Sequence, residues 1–492
     1  MKDVKAFLKI KREVSPYRPA CERIEDYKEV IVRRSDKKSQ EQAHRCMDCG
    51  VPFCHWGCQV ANIIPEWNTL MFLGQWKKAF ELLDTTNDLP EITGRVCPAR
   101  CEYACVLGIN DDAVTIRDNE LAIIEHAFKK GFIKPRSPKR RTGKSVAVVG
   151  SGPAGLSCAA TLNRSGHNVV VFEKHDALGG IMRYGIPDFK LEKWIIERRI
   201  ALWKKEGIKF KTGVNVGIDY KPSEIKKDFD AICLAVGSRK PRDLKIEGRD
   251  LKGIHFAMDY LIQANKRVSG DRIPKDMLID AKDKKVVVIG GGDTGADCVG
   301  VAHRQKASCI IQIEVLPKPP ECRTDDYPWP EHPLLLKSSS SHEEGAERHW
   351  QVLTKGLIGE SGKVKKLVCV NVEFTKNGKD ACPVMKEIPG SEFEIEADLV
   401  ILAIGFLHPE HIGLLDKLGL AYDSRGNVKT GDYHMSSKKG IFAAGDMRRG
   451  QSLIVWAIQE GRSAASSIDE YLTRPPNTAH PTYRPQDRTS RK

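Results

Sequence analysis

Residues 144–176 read KSVAVVGSGPAGLSCAATLNRSGHNVVVFEKHD, and this stretch decides the fold. A short apolar run meets glycines at 150, 152 and 155, then an Ala- and Leu-rich segment, then a second apolar run that ends at Glu173. The pattern predicts strand, tight turn, helix and strand, the repeating unit of a doubly wound α/β sheet. Each glycine has its own task. Gly150 permits the turn, Gly152 lets the backbone approach a pyrophosphate, and Gly155 lets the helix lie close to the strand. A pyrophosphate seated there meets the free N–H groups and the positive end of the helix. Gly150, Gly152, Pro153, Ala154 and Gly155 are therefore a candidate dinucleotide cradle. Glu173, 18 residues after Gly155, is the candidate acceptor for a ribose hydroxyl.

The layout recurs. Residues 284–316, KKVVVIGGGDTGADCVGVAHRQKASCIIQIEVL, give a second cradle at Gly290, Gly292, Asp293, Thr294 and Gly295, with Glu314 ending its second strand. Two such units predict two dinucleotide-binding domains, one nested in the other. The first unit is followed by Gly179 and Gly180, and its last strand arrives only with GIFAAGD at 440–446. An Asp after a late strand, then a helix, is how flavoproteins with two dinucleotide folds close over the flavin. FAD is thus expected on the first fold and NADPH or NADH on the inserted one. Glu314 favours a free 2′-hydroxyl, whereas Arg304, Lys306, Lys318 and Arg323 lie close enough in sequence to reverse that preference.

Upstream, seven of the 15 cysteines fall in two bursts, RCMDCGVPFCHWGC (Cys46, Cys49, Cys54, Cys58) and RVCPARCEYACVLG (Cys97, Cys101, Cys105). The N-terminal residues are charged and lack the apolar core of a secretory signal, so disulfides are not expected and a cytoplasmic setting is. A zinc tetrahedron would use four thiolates and leave three idle. Two [4Fe–4S] clusters use all seven and lack one ligand. Between the bursts, apolar residues recur at helical spacing, so short helices can fold the two against each other.

A chain of 492 residues with 41% hydrophobic and 29% charged content suggests about three domains. No apolar run approaches the roughly 18–20 residues that span a bilayer. The net charge of +14 is spread along the chain with no nucleic-acid-binding motif beside it, so neither nucleic acid nor membrane is an expected partner. The expected organisation is α/β: a helical iron–sulfur domain over 1–133, a basic linker over 134–143, a discontinuous FAD domain over 144–275 and 431–473, an NAD(P)H domain over 276–430, and a tail over 474–492.

The strings RCMDCGVPFCHWGC, NIIPEWN, GSGPAGL, GIPDFKL, GGGDTGADC, DDYPWPEHP, SSSSHEEG and GDMRRGQSLIVWAIQEGR resemble the glutamate synthase small (beta) subunit family. The same module is similar to the N-terminal part of dihydropyrimidine dehydrogenase. The resemblance implies that NAD(P)H gives hydride to FAD and that electrons leave singly through the clusters. The recipient would be a large (alpha) subunit that makes glutamate from 2-oxoglutarate and glutamine. It implies one cluster on Cys46, Cys49, Cys54 and Cys105, and another on Cys58, Cys97 and Cys101. Glu120 stands where the dehydrogenase has a ligating Gln, with Cys21 as the alternative eighth ligand. It also puts Arg183, Gly445, Asp446, Ser452 and Leu453 beside the flavin. Since the cofactors carry the chemistry, no catalytic acid, base or nucleophile is expected. An input subunit for a ferredoxin- or sulfide-linked oxidoreductase is the alternative. A dithiol reductase is disfavoured, because no C-x-x-C lies outside the cluster region.

Overall fold

The computed structural model describes residues 3, 5–375 and 383–474. Of the expected tail, all but Arg474 lies outside the described residues. Helices Asp36–His44, Ile64–Phe72, Trp76–Thr86, Pro90–Val96 and Ile116–Lys129 carry the first domain. Their apolar faces bury Trp67, Met71, Leu83, Ile123 and Ile124 in one core. The cysteine bursts lie on loops and the short helices Phe53–Gly57 and Arg100–Tyr103. These two segments press together: a methyl group on Gly57 would stand 2.7 Å from Ala104 Cβ.

Among the described residues, thirteen strands follow: β1 (Ser145–Val149), β2 (Asn168–Phe172), β3 (Lys209–Lys211), β4 (Ala231–Leu234), β5 (Ile254–Phe256), β6 (Lys285–Ile289), β7 (Cys309–Glu314), β8 (Glu347–Trp350), β9 (Val352–Glu360), β10 (Lys363–Thr375), β11 (Val384–Glu396), β12 (Leu399–Leu402) and β13 (Ile441–Ala443). They form two parallel five-stranded sheets, β13-β4-β1-β2-β3 and β5-β12-β6-β7-β8, and an antiparallel sheet, β11-β10-β9. All four residues of β4 and of β12 are buried, as in parallel sheets covered on both faces.

Strand pairing moves the domain boundaries. β5 pairs with β12 in the second sheet, and Tyr260, Leu261 and Ala264 of the following helix share a core with Val299 and Val301. The first crossing therefore precedes 254, not 275. On the return, Leu415, Leu418, Leu420 and Val428 pack with Ile232 and Ile441 in the first sheet's core, ahead of the expected 431. A bridge between Pro241 and Phe406 joins the two crossings. A three-residue strand such as β5 carries too little alternation to be read in sequence, and the loop after Gly270 is stronger punctuation than the true boundary.

The first domain also reaches further than expected. Val30 N–H donates to Phe189 O at 2.9 Å, and Val30, Tyr17 and Tyr27 join the core beneath the second parallel sheet. The basic linker is irregular but anchored. Arg136 pairs with buried Asp84 at 2.5 Å, and Arg141 donates to Asn163 Oδ1 and His167 O at 2.8 and 2.7 Å. Among the described residues, no helix is long and apolar enough to cross a membrane.

Candidate functional site

The two nucleotide turns are near-copies. Gly150 and Gly290 have φ of +105° and +120°, and a methyl group on either would stand 2.4 Å from a carbonyl oxygen, that of Ala235 or Ala403. A methyl on Gly155 would stand 1.9 Å from Gly150 O, and one on Gly295 2.2 Å from Gly290 O. Only glycine permits these helices to approach their strands so closely. Gly152 and Gly292 cap helices Pro153–Arg164 and Asp293–Arg304, with Pro153, Ala154, Asp293 and Thr294 in the first turns. Gly155→Ala is expected to abolish FAD retention, read from the flavin absorbance that survives gel filtration. Full retention would refute the close-packing argument.

The fold gathers distant residues over the first turn. Glu173 accepts from Ser151 N and Oγ at 3.1 and 2.6 Å and from His175 N at 3.0 Å. Gly180 approaches so closely that a methyl there would stand 2.8 Å from Gly152 Cα. Gly445, nearly 300 residues later in sequence, faces Ala154 across 2.8 Å by the same measure. Burial pushes Asp446 up to about 6, although Ser452 Oγ donates to its carboxylate at 2.8 Å. Leu453 precedes helix Ile454–Thr473, whose Gly461 lies directly on Ala154 O. The Arg183 guanidinium braces its own loop, donating to Leu178 O at 2.6 Å and pairing with Glu197 at 3.0 Å.

At the second turn, Glu314 accepts from Gly291 N at 2.6 Å and Leu316 N at 3.1 Å. Arg304 does not join it, contrary to the expectation from sequence. Its side chain is fully buried, paired with Glu344 at 2.7 Å, and donates to Asp26 O and Gly300 O, both at 2.8 Å. An arginine already matched to a buried carboxylate has no fork left for a phosphate. Arg323 is held by the carbonyls of Tyr103, Tyr327 and Glu331.

The seven cysteines and Glu120 line two pockets of similar size. Cys46, Cys49, Cys54 and Cys105 face the first, whose remaining wall is largely apolar, from Phe53, Ile64, Leu107 and Val114. Cys58, Cys97, Cys101 and Glu120 face the second, beside Arg100, Arg117 and Val455. Among the described residues, no three His, Cys, Asp or Glu side chains close on one point where a single ion could sit. Each set offers four donors around a pocket, the number that a cubane with one outer ligand per iron needs. Burial pushes the Cys58 thiol up to about 11 and Cys97 up to about 12, and raises Cys54 and Cys101 as well. Thiols so placed become ligands when a bound cation supplies the charge that burial denies them.

Glu120 is buried, and burial pushes it up to about 7. Its Oε1 accepts from Asn87 Nδ2 at 2.8 Å and Thr93 Oγ1 at 2.7 Å. Cys21 is exposed and lines neither cavity.

Several contributors are invisible in sequence. Asn87 and Thr93, which orient Glu120, sit in a segment that reads only as amphipathic helix. Val455 brings the last helix of the first nucleotide fold to the second cavity, and Cys58 and Cys97 pack against that fold's core. The second cavity is thus the inner one. Ion pairs on buried carboxylates fix it there: Glu91 with buried Arg199 at 2.7 Å, and Asp88 with half-buried Arg164 and Arg462 at 2.7 and 3.0 Å. The two nucleotide folds are joined by Lys190, paired with Asp297 at 2.5 Å. The one available signal was a cluster of charges (Asp88, Glu91, Arg95) within an apolar-patterned stretch.

Comparison with known proteins agrees with this architecture. Residues 144–461 match the pyridine nucleotide-disulphide oxidoreductase family, and residues 23–132 match the dihydropyrimidine dehydrogenase domain II, 4Fe-4S cluster family. The chain is 50% identical over 476 residues to the glutamate synthase [NADPH] small chain of Mycobacterium tuberculosis, covering 96% of each. It is 47% identical over 483 residues to that of Bacillus subtilis, covering 95% of this chain and 97% of the relative. It is also 47% identical to glutamate synthase [NADH] of Schizosaccharomyces pombe, covering 95% of this chain and 22% of that one. Among solved structures, FprA of M. tuberculosis in complex with NADPH has a TM-score of 0.53 at 19% identity, covering 67% of this chain and 85% of that one, a likeness of fold. With both domain models matched in order and half the residues shared almost end to end, this chain belongs to the glutamate synthase small-chain family.

Proposed function

We propose that this chain is the electron-input subunit of a glutamate synthase. It takes electrons from NAD(P)H and delivers them to a large subunit that makes glutamate from 2-oxoglutarate and glutamine. FAD held there would supply hydride acceptance from the nicotinamide, and two [4Fe–4S] clusters would supply release of that pair as single electrons. The chain's own residues bind, space and insulate these groups. Gly150–Gly155 and Gly290–Gly295 seat the pyrophosphates, while Glu173 and Glu314 take ribose hydroxyls. Gly180, Gly445, Asp446, Ser452 and Leu453 enclose the flavin. Asn87 and Thr93 hold the Glu120 carboxylate in one orientation, as outer partners of a metal ligand do.

The observation that carries this reading is the partition of eight donors into two cavities in series, the inner one against the flavin fold's last helix. The exposed thiol Cys21 suits a reducing cytoplasm. Anaerobically purified protein is expected to hold about eight iron, about eight acid-labile sulfide and one FAD per chain. It should also co-purify from its native host with a large amidotransferase chain. About one zinc without sulfide would sink the cluster assignment, and a different co-purifying acceptor would replace the synthase.

A further inference from the structure

We infer that the second nucleotide fold selects NADH over NADPH, with Glu314 as the determining residue; the inference rests on the hydride-input reading above. The molecule contains its own control. FAD has a free 2′-hydroxyl on its adenosine ribose, so the flavin fold's acid stands in the arrangement that suits an unphosphorylated ribose. There, Glu173 Oε2 accepts from the N–H of Ser151, the residue after the first glycine, at 3.1 Å. Its Oε1 accepts from the N–H of His175, two residues beyond the acid, at 3.0 Å. Glu314 repeats both main-chain bonds, without the extra bond that the Ser151 hydroxyl gives Glu173. Its Oε2 accepts from the N–H of Gly291, again the residue after the first glycine, at 2.6 Å. Its Oε1 accepts from the N–H of Leu316, again two residues on, at 3.1 Å.

Two consequences follow from that geometry. With an oxygen tied to the main chain on each side, the carboxylate cannot swing away to admit a second anion. A methyl on Gly291 would stand 2.9 Å from Glu314 Oε2, so the group lies flat on the turn. Its remaining lone pairs can accept from a 2′-hydroxyl, while a 2′-phosphate brings no proton and a like charge.

The cations that could offset the acid are mostly committed elsewhere. Arg304 is buried with Glu344, Arg323 is bound to three carbonyls, and Lys306 pairs with Glu25 at 2.5 Å. Lys318 and Arg348 remain. They lie 5.6 and 4.8 Å from the ring of Trp350, the neighbour of Glu314 across β7 and β8. Arg348 also donates to Lys337 O at 3.4 Å, and Lys318 lies 3.6 Å from Glu321. Their contacts are to the indole face and neighbouring groups, an arrangement that lines an aromatic surface without displacing Glu314.

The test is a titration of the holoprotein with NAD⁺ and with NADP⁺ by calorimetry, together with anaerobic flavin bleaching by NADH and by NADPH. Wild-type protein should bind NAD⁺ at least about tenfold more tightly. Glu314→Ser should erase or invert that ratio, and so should Glu314→Gln, which keeps the shape and removes only the charge. Lys318→Ala and Arg348→Ala should leave the ratio unchanged. Unaltered FAD and iron content in each variant reports an intact fold. Tighter NADP⁺ binding by the wild type, a ratio insensitive to Glu314→Gln, or NADP⁺ binding lost in Arg348→Ala would each overturn the inference while leaving the hydride-input reading in place. If neither nucleotide binds or bleaches the flavin, the hydride-input reading itself fails.

Discussion

Cys101→Ser is expected to halve the iron content to about four per chain and to lower electron delivery to the large subunit by about 100-fold or more, since even losing a ligand's outer partner costs 10–100-fold in metal affinity or activity. Cys101 lies in the inner cavity, between the flavin fold's last helix and the outer set of cysteines. Loss of that relay opens a gap which the outer set cannot bridge alone. Reduction of the flavin by pyridine nucleotide should survive, because the turns at Gly150 and Gly290 belong to other cores. The readouts are iron and sulfide content, the electron paramagnetic resonance of the reduced protein, and stopped-flow flavin bleaching. Glu120→Ala should act on the same cluster but more mildly, because three thiolates remain. Full iron content in Cys101→Ser, with wild-type turnover, would remove the inner cavity from the path.

Breaking the Glu91–Arg199 pair is expected to destabilise the junction of the iron–sulfur and flavin domains by about 3–5 kcal/mol. Glu91 is wholly buried and accepts two parallel bonds from Arg199, at 2.7 and 2.8 Å, the bidentate geometry that partly offsets desolvation. Glu91→Ala leaves a guanidinium in that dry site without its carboxylate. Arg199 does lie 5.3 Å from the ring centre of Phe128, but a ring face is a weak substitute. At slopes of about 2–3 kcal/mol per molar urea, the midpoint should fall by about 1–2.5 M. Loss of the Fe–S absorbance is expected before the flavin is released. Glu91→Leu combined with Arg199→Met should recover most of the loss, since a buried apolar pair needs no desolvation. A midpoint unmoved by the single change would count against this pair as the clasp.

Much of the fold is legible because its determinants are local. Gly150, Gly152 and Gly155 sit between apolar runs of strand length, and the same spacing at Gly290, Gly292 and Gly295 declares a second fold. The order of the folds also follows from sequence, since GIFAAGD returns only after the inserted unit. What stays hidden is anything carried by short or irregular segments. β5 has three residues, too few for a period, and so the boundary expected at 275 moves ahead of 254. Arg304 illustrates a different limit. Its sequence position, on the helix that follows the second turn, suggests a phosphate ligand. Its helical face instead points it into a buried pair with Glu344.

By itself, then, the sequence determined the chemistry on offer: seven cysteines at cluster-ligand spacings, two glycine turns, and an acid after each. These are properties of residue type and short-range order, which survive without knowledge of the fold. Spacing alone leaves the division of the donors open; the family resemblance implied that Cys105 joins the first burst's set and Cys58 the second's, and the fold lines two cavities with those sets. That exchange depends on the close approach of Gly57 to Ala104, a contact between segments nearly 50 residues apart. The tertiary structure alone decided which arginines are committed to ion pairs instead of ligands, Arg304 with Glu344 among them. Such choices follow from burial and long-range packing, where the cost of an unmatched charge overrides local preference.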